Sequence, residues 1–291
     1  MIIVSLFGGL GNQMFQYAAG LALAKKLNRK VFFNENFNSV FKKQYKNLDL
    51  NKIFNLQLNK CSDKFLNDNL NFYLRNNIIK KIFYRFKFLQ FLVSNFISEK
   101  NFKIKKLKKM KFIYLHGYFQ NQMYFHNYTN HIIKTFKKIN FKNNYKLSKI
   151  YKFIKIQNSV SVHVRRGDFL TNKININYNK DYYLSAIRIL EKKIKKTYYF
   201  FFTDDVEWVK KNLQNYVKKN SIIVSSYKFS TPEIDLFLMS KCKNNIITNS
   251  TFSWWGTKLN SNKNKLVIAP KKWFKKKQKY ISLEDKKWIR V

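Results

Sequence analysis

The spacing of apolar and polar positions changes repeatedly along the chain. Met1-Ile2-Ile3-Val4-Ser5-Leu6-Phe7 is a short, nearly continuous apolar run, the pattern of a buried strand, and Gly8-Gly9-Leu10-Gly11-Asn12-Gln13 follows it as a turn. Met14 to Asn28 is Ala- and Leu-rich and predicts a helix, after which Lys30-Val31-Phe32-Phe33-Asn34 predicts a second strand. That succession opens an α/β domain. From Asn36 to about Met110 the pattern becomes irregular, with many Asn and Lys residues and mixed aromatic segments, which reads as a helical and loop insertion over about 36–110. Strand and loop character return at Phe112 to Gln120, and the stretch to about Lys155 is mostly helical.

Ser159-Val160-Ser161-Val162-His163-Val164 is the strand that opens a second unit. A helix over Asp181 to Lys195, a strand at Thr197 to Phe202 and a helix after Asp204-Asp205 continue it. Strand Ser221 to Val224, helix Pro232 to Ser240, strand Asn245 to Thr248 and strand Lys265 to Pro270 complete the alternation. The expectation is an α/β protein of two domains, 1–155 and 156–291, each built on a parallel sheet. Ligands of such sheets lie in the crevice beyond the carboxyl ends of the strands.

Composition narrows the class. Hydrophobic residues make up 45% of the 291 positions, enough for a sizeable core, so a disordered polycation is excluded despite a net charge of +43. With only 7 Gly and 2 Pro, a glycine cluster is informative in itself. No apolar run reaches the length of about 18 residues that a membrane-spanning helix needs, and the start of the chain lacks a secretory pattern, so a cytoplasmic protein is expected. The positive surface predicts loose peripheral contact with anionic membrane. Cys61 and Cys242 fit neither a disulfide framework nor a zinc site.

Three clusters carry candidate chemistry. In Gly8 to Gln13, a helix start with three glycines can bring backbone N–H groups to an anion, with Asn12 and Gln13 as side-chain donors; tight helix–sheet packing is the alternative. In His163-Val164-Arg165-Arg166-Gly167-Asp168, at the end of a buried strand, planar guanidinium groups suit bidentate phosphate contacts, and Arg166 is expected to pair with Asp168 or a neighbouring carbonyl. A purely structural ion pair with Asp168 is the alternative. In Thr248 to Gly256, hydroxyls and helix-start N–H groups can receive phosphate, or Ser250 or Thr251 can simply cap the helix. Trp254 and Trp255 are core or substrate platform. Asp235 can face a crevice and meet a nucleotide base or ribose, or serve only the helix start. Asp204-Asp205 reads as helix capping.

The sequence holds no Gly-x-Ser-x-Gly elbow, no His-Glu-x-x-His site and no Cys-x-x-Cys pair, and only four histidines. The residues favour a diphosphate held by arginines, hydroxyls and backbone donors without a metal or other cofactor. A basic, aromatic-rich nucleic-acid-binding protein is the reading of a different class, although no recognised nucleic-acid fold pattern is present.

The segments Phe7 to Ala18, Leu115 to Gln120, His163 to Asp168, Phe202 to Asp205 with Trp208, and Thr248 to Gly256 together resemble the bacterial α-1,2-fucosyltransferases of glycosyltransferase family 11. The resemblance implies a GT-B-like architecture, two Rossmann-like domains facing a central cleft, with the acceptor mainly on the first and GDP-β-L-fucose mainly on the second. It implies an inverting, metal-independent transfer of L-fucose to the 2-hydroxyl of a galactose-containing glycan, in synthesis of lipopolysaccharide O-antigen or capsule, or a fucosyl transfer of another linkage or acceptor. Carried onto this chain, it makes Arg165 the contact to the leaving β-phosphate and His163 an organiser of the nucleotide pocket. Gly9, Gly11, Asn12, Gln13, Asp235, Ser250, Thr251 and Ser253 are the further donor-binding candidates, and Arg166 and Asp168 hold the loop in shape. Some related fucosyltransferases carry a glutamate soon after the arginine–aspartate motif, but Phe169 to Asn179 contains no carboxylate; Asp168, Glu35 or a residue of the insertion can serve as general base, or a strongly dissociative reaction needs little base, and the general base stays unassigned.

Overall fold

The structure is a computed structural model that describes residues 1–35, 49–62, 65, 96–141, 145–217, 219–276 and 278–291. The chain divides into two compact units, Met1–Lys134 with Tyr280–Ser282, and Thr135–Lys279 with Leu283–Val291. Each is built on a parallel sheet with the two Rossmann-like features expected of GT-B lobes, parallel strands and helical crossovers.

In the first unit, β1 (Ile2–Ser5), β2 (Val31–Asn34), β3 (Phe96–Ile97) and β4 (Ile113–Leu115) form a sheet of order β2-β1-β4-β3. The helix Leu10–Leu27 is the crossover between β1 and β2. It can lie close to the sheet because Gly20 faces Val4: a Cβ on Gly20 would come within 2.3 Å of Val4 Cγ2. The helix ends at Asn28, whose left-handed backbone (φ 51°) returns its N–H to the last turn, where Lys25 and Lys26 oppose the helix dipole. The segment expected to be a helical and loop insertion contributes the edge strand β3 to this sheet, a correction to that reading. Two residues are too short to produce a periodic signal, and only pairing with β4, Phe96 opposite Tyr114, defines them as a strand. Described parts of that segment also form the short helices Leu50–Phe54 and Ile104–Lys109; the rest of the expected insertion lies outside the described residues.

In the second unit, β5 (Asn158–Val164), β6 (Thr197–Thr203), β7 (Ser221–Ile223), β8 (Asn244–Ile246), β9 (Val267–Ala269) and β10 (Ile289–Arg290) have the order β10-β9-β8-β5-β6-β7. Counted within the unit this is 3-2-1-4-5-6, and the direction of winding reverses between β5 and β8. Both faces are covered. Tyr199 and Phe201 of β6 pack under Tyr183, Ala186, Ile187 and Leu190 of the helix Lys180–Glu191, while Phe200 and Phe202 turn to Leu238 and Met239 of the helix Pro232–Lys241. That explains the unbroken aromatic run, since a strand buried on both sides has no polar face. Each phenylalanine fully buried here contributes roughly 2–3 kcal/mol.

The helix Tyr145–Ile156 joins the same core through Leu147, Ile150 and Ile154, so the division between units falls before this helix and not after it. Helical periodicity identifies an apolar face without identifying the sheet it covers. No disulfide joins Cys61 and Cys242, and among the described residues no helix is long and apolar enough to cross a membrane.

Candidate functional site

The reversal between β5 and β8 leaves a crevice at the carboxyl ends of these strands, where the helices above diverge. Three sequence candidates converge there: the loop after β5 with His163 to Asp168, the loop after β8 with Thr248 to Ser253, and, from β6, Asp204 and Asp205. The guanidinium of Arg165 donates from Nε (3.0 Å) and Nη2 (2.7 Å) to Asp168 Oδ1 and lies 3.1 Å by Nη1 from Asp204 Oδ2. Arg166 turns elsewhere, pairing through Nε with Asp205 Oδ2 at 2.9 Å, its guanidinium carbon 4.3 Å from the centre of the Trp208 ring. This corrects the expected Arg166–Asp168 pair. Successive side chains of an extended segment diverge, so Arg165 takes the near carboxylate and Arg166 the one 39 positions on.

Asp204 ties the loop together. Its Oδ1 accepts the Arg166 backbone N–H at 2.8 Å while Oδ2 holds Arg165, and a Cβ on Gly167 would lie 2.6 Å from that same Oδ2. Asp205 accepts from the Trp208 N–H at 3.0 Å and is the cap expected of the pair, whereas Asp204 is a loop anchor that the capping reading did not anticipate. Arg165 keeps about a quarter of its side chain exposed, so a ligand anion can compete for its fork.

His163, one position before Val164 in β5, is buried, with its ring 5.4 Å from that of Phe252. Burial, and then the neighbouring Arg165 charge, pull its pKa down to about 3, so the imidazole is neutral at physiological pH. Its Nδ1 meets no hydrogen-bond partner among the described residues.

In the loop after β8, Ser250 caps the helix Thr251–Leu259 by accepting from the Phe252 N–H. Ser253 is fully buried and donates to the carbonyls of Thr248 and Ser250, which fixes the turn. Thr248 and Asn249 are likewise turned inward, Asn249 donating to the carbonyls of Ile176 and Trp273. Thr251 keeps an intermediate exposure at the first turn of the helix. Trp254 and Trp255 are buried in edge-to-face contact with each other, which makes them core.

Asp235, on the helix Pro232–Lys241, receives the hydroxyls of Ser225 (2.9 Å) and Ser230 (2.6 Å). Burial raises its pKa from 3.8 to about 6 against the opposing effect of the two serines. Each carboxylate oxygen retains acceptor capacity beyond its serine. Nothing in the sequence marked Ser225 and Ser230, because the loop after β7 has no pattern of its own; Ser225 is also fixed by the Thr203 N–H.

Gly9, Gly11, Asn12 and Gln13 belong to the first unit. Gly8 has φ 78°, the left-handed turn that lets β1 feed directly into the helix, and Gly9 occupies the N-cap with no side chain to satisfy the helix start. Gln13 is buried and donates to the Gly8 carbonyl, and Asn12 accepts from Gln120 Nε2 at 2.9 Å, joining this turn to the loop after β4. Glu35 pairs with Lys60 at 2.9 Å. Among the described residues, no group of three or more His, Cys, Asp or Glu is placed to hold a metal ion.

The sequence model described as "Glycosyl transferase family 11" matches residues 1–291. An Escherichia coli α-1,2-colitosyltransferase is 32% identical over 298 residues, covering 100% of this chain and 99% of its own. The Escherichia coli O-antigen biosynthesis glycosyltransferase WbnK is 33% identical, with 92% and 93% covered. Among solved structures, the NodZ α-1,6-fucosyltransferase co-crystallised with GDP superposes with a TM-score of 0.56 at 14% identity, covering 88% of this chain and 91% of that one. A point mutant of Arabidopsis thaliana FUT1 in complex with GDP gives a TM-score of 0.52 at 12% identity, covering 91% and 69%.

Proposed function

The chain belongs to glycosyl transferase family 11 and is an enzyme of the glycosyltransferase class; from that premise we propose that it transfers L-fucose from GDP-β-L-fucose, with inversion and without a metal ion, to the 2-hydroxyl of a galactoside. The observation that carries this reading is the Arg165 fork at the switch point of a Rossmann-ordered sheet, on the loop after β5, whose neighbouring strand β8 leads into the helix Thr251–Leu259. A guanidinium and a helix N-terminus suit a diphosphate.

In the proposed reaction the galactose O2 forms a bond to the anomeric carbon as the bond from that carbon to the GDP oxygen breaks, and the O2 proton passes to water or to the departing diphosphate. Negative charge grows on the leaving β-phosphate, and Arg165, exchanging Asp168 for the phosphate, stabilises it. Ser250 and Thr251 supply helix-start donors, and neutral His163 offers its Nδ1 side to the nucleotide. Asp235 accepts from the guanine or ribose. Ser253 acts through the turn it fixes. Asp168 and Glu35 are both ion-paired in this state, and a strongly dissociative transition state makes little demand on a base.

A second reading concerns the donor sugar, because the colitosyltransferase matches the whole chain. Colitose is fucose without its 3-hydroxyl, so both nucleotide sugars present the same diphosphate to Arg165. An O-antigen enzyme among the relatives supports a surface glycan as product. Attachment to the inner face of the membrane is supported by the solvent face of the helix Tyr145–Ile156, where Lys146, Lys149, Lys152 and Lys155 flank exposed Tyr145 and Ile156 and make no ion pair among the described residues.

The test is product analysis by mass spectrometry and linkage-resolving NMR, with EDTA throughout, from GDP-fucose and GDP-colitose in competition over a panel of β-galactosides. Fucose on galactose O2 is expected. Folded protein that binds neither donor overturns the proposal.

A further inference from the structure

In the sheet of the first unit, β1 and β4 are adjacent parallel strands, so the turn after β1 and the loop after β4 lie side by side at the carboxyl ends of the strands. The second unit meets its crevice with arginines, but here neither Phe7 to Met14 nor Leu115 to Asn121 contains a lysine or arginine. What these loops offer instead is amide side chains, Asn12 hydrogen-bonded to Gln120, and rings: Phe7 stacked on His116 at 4.8 Å and tilted against Tyr118 at 5.0 Å. The outermost ring, Tyr118, is 42% exposed in a unit whose other aromatics at this edge are buried.

That ring is held in place at a cost in backbone strain. Glu99 accepts the N–H groups of Tyr118 (2.6 Å) and Phe119 (3.0 Å), and Gly117 leaves the carboxylate room, since a Cβ there would lie 2.4 Å from Glu99 Oε2. Phe119 adopts φ 50°, a left-handed conformation costly for a side chain of its size. A carboxylate accepting two backbone N–H groups and a strained residue together fix an exposed aromatic at the carboxyl-terminal edge of the sheet. A ring-lined, amide-bordered edge that carries a carboxylate and whose two loops hold no lysine or arginine is unsuited to a diphosphate and suited to a neutral polyhydroxylated ligand, whose C–H face packs on an aromatic ring while its hydroxyls meet amides.

We propose that Tyr118 is the platform for the acceptor glycan, packing against the C–H face of a neutral hexopyranose, with Asn12 and Gln120 bordering its hydroxyls. The Asn12–Gln120 hydrogen bond places this platform beside the Gly8–Gln13 turn. The assignment rests on the glycosyltransfer reading for its kinetics but not for its binding measurement.

The experiment uses the full chain and its Tyr118→Ala, Tyr118→Phe and Tyr118→Trp variants. Saturation-transfer NMR with methyl β-galactoside and with lactose reports binding without turnover, GDP affinity serves as the folding and donor control, and acceptor KM and kcat are measured wherever transfer occurs. Tyr118→Ala is expected to lose the galactoside signal and raise acceptor KM by about tenfold, the scale of one aromatic contact, at unchanged GDP affinity and similar kcat. Phe and Trp are expected to restore both. A galactoside signal that is absent from the wild type, or that persists in Tyr118→Ala with unchanged acceptor KM, overturns the platform. A signal that depends on Tyr118 in a protein that transfers no sugar upholds the platform and overturns the fucosyl-transfer reading instead.

Discussion

Replacing Asp235 by Asn separates the stability of the second unit from its proposed grip on the donor. Asp235 is packed at the base of the helix Pro232–Lys241 with Ser225 and Ser230 as partners, and its pKa stands at about 6 against an ordinary 3.8. Burial is the main cause, and Glu233 adds to it. A carboxyl whose pKa is raised on folding binds more protons when folded than when unfolded between those two values, so its contribution opposes stability as pH rises through that window. At about 1.4 kcal/mol per pH unit, the difference amounts to roughly 3 kcal/mol between pH 4 and pH 6 and is constant above it. Asn keeps the shape, accepts from one serine and donates to the other, and cannot ionise. The expected outcome is that urea unfolding of the variant and the wild type, followed from pH 4 to pH 8, shows the variant gaining on the wild type by about 3 kcal/mol across that window. GDP affinity moves the opposite way: the wild type weakens as pH falls through 6, when the carboxylate is lost as an acceptor, and the variant is weak throughout. A stability difference that does not change with pH would refute the assigned burial, and undiminished GDP binding by the variant would refute contact with the nucleotide.

Arg165→Ala is expected to reduce transfer by roughly 10²-fold, the scale on which removal of one transition-state charge donor acts, and near-normal kcat/KM in folded protein rejects that role. Gly167→Ala places a methyl 2.6 Å from Asp204 Oδ2 and so displaces the anchor of Arg165 without removing a charge; about a tenfold loss of kcat/KM is expected, and no further loss when it is combined with Arg165→Ala, as a double-mutant cycle would show. Binding to anionic liposomes is expected to fall between low and high salt, and Lys149→Glu with Lys152→Glu is expected to weaken it at low salt by about 1 kcal/mol or more per charge. Partition that ignores salt rejects an electrostatic attachment. Cys242 is buried with its thiol pushed well above the ordinary range and is expected to resist thiol reagents until the protein unfolds.

The sequence alone determined the repeating strand and helix blocks, because burial on one or both faces of an element imposes a period that local reading detects. It also marked the turn Gly8–Gln13, where left-handed Gly8 stands, and the arginines after β5, since charges directly following a buried strand require a partner or a ligand. What it did not determine was which partner. Arg165 takes Asp168 and Asp204 while Arg166 takes Asp205, and the choice depends on β6 lying beside β5, 39 positions apart along the chain. The same holds for the strand β3, defined only by its pairing, for Asp235, whose pKa follows from burial against two serines of another loop, and for Tyr118, whose place beside the turn Gly8–Gln13 follows from β4 lying next to β1. Periodicity is a property of neighbours in sequence. Ion pairing, desolvation and crevice position are properties of neighbours in space, and in a parallel sheet these come from strands separated by whole crossover helices.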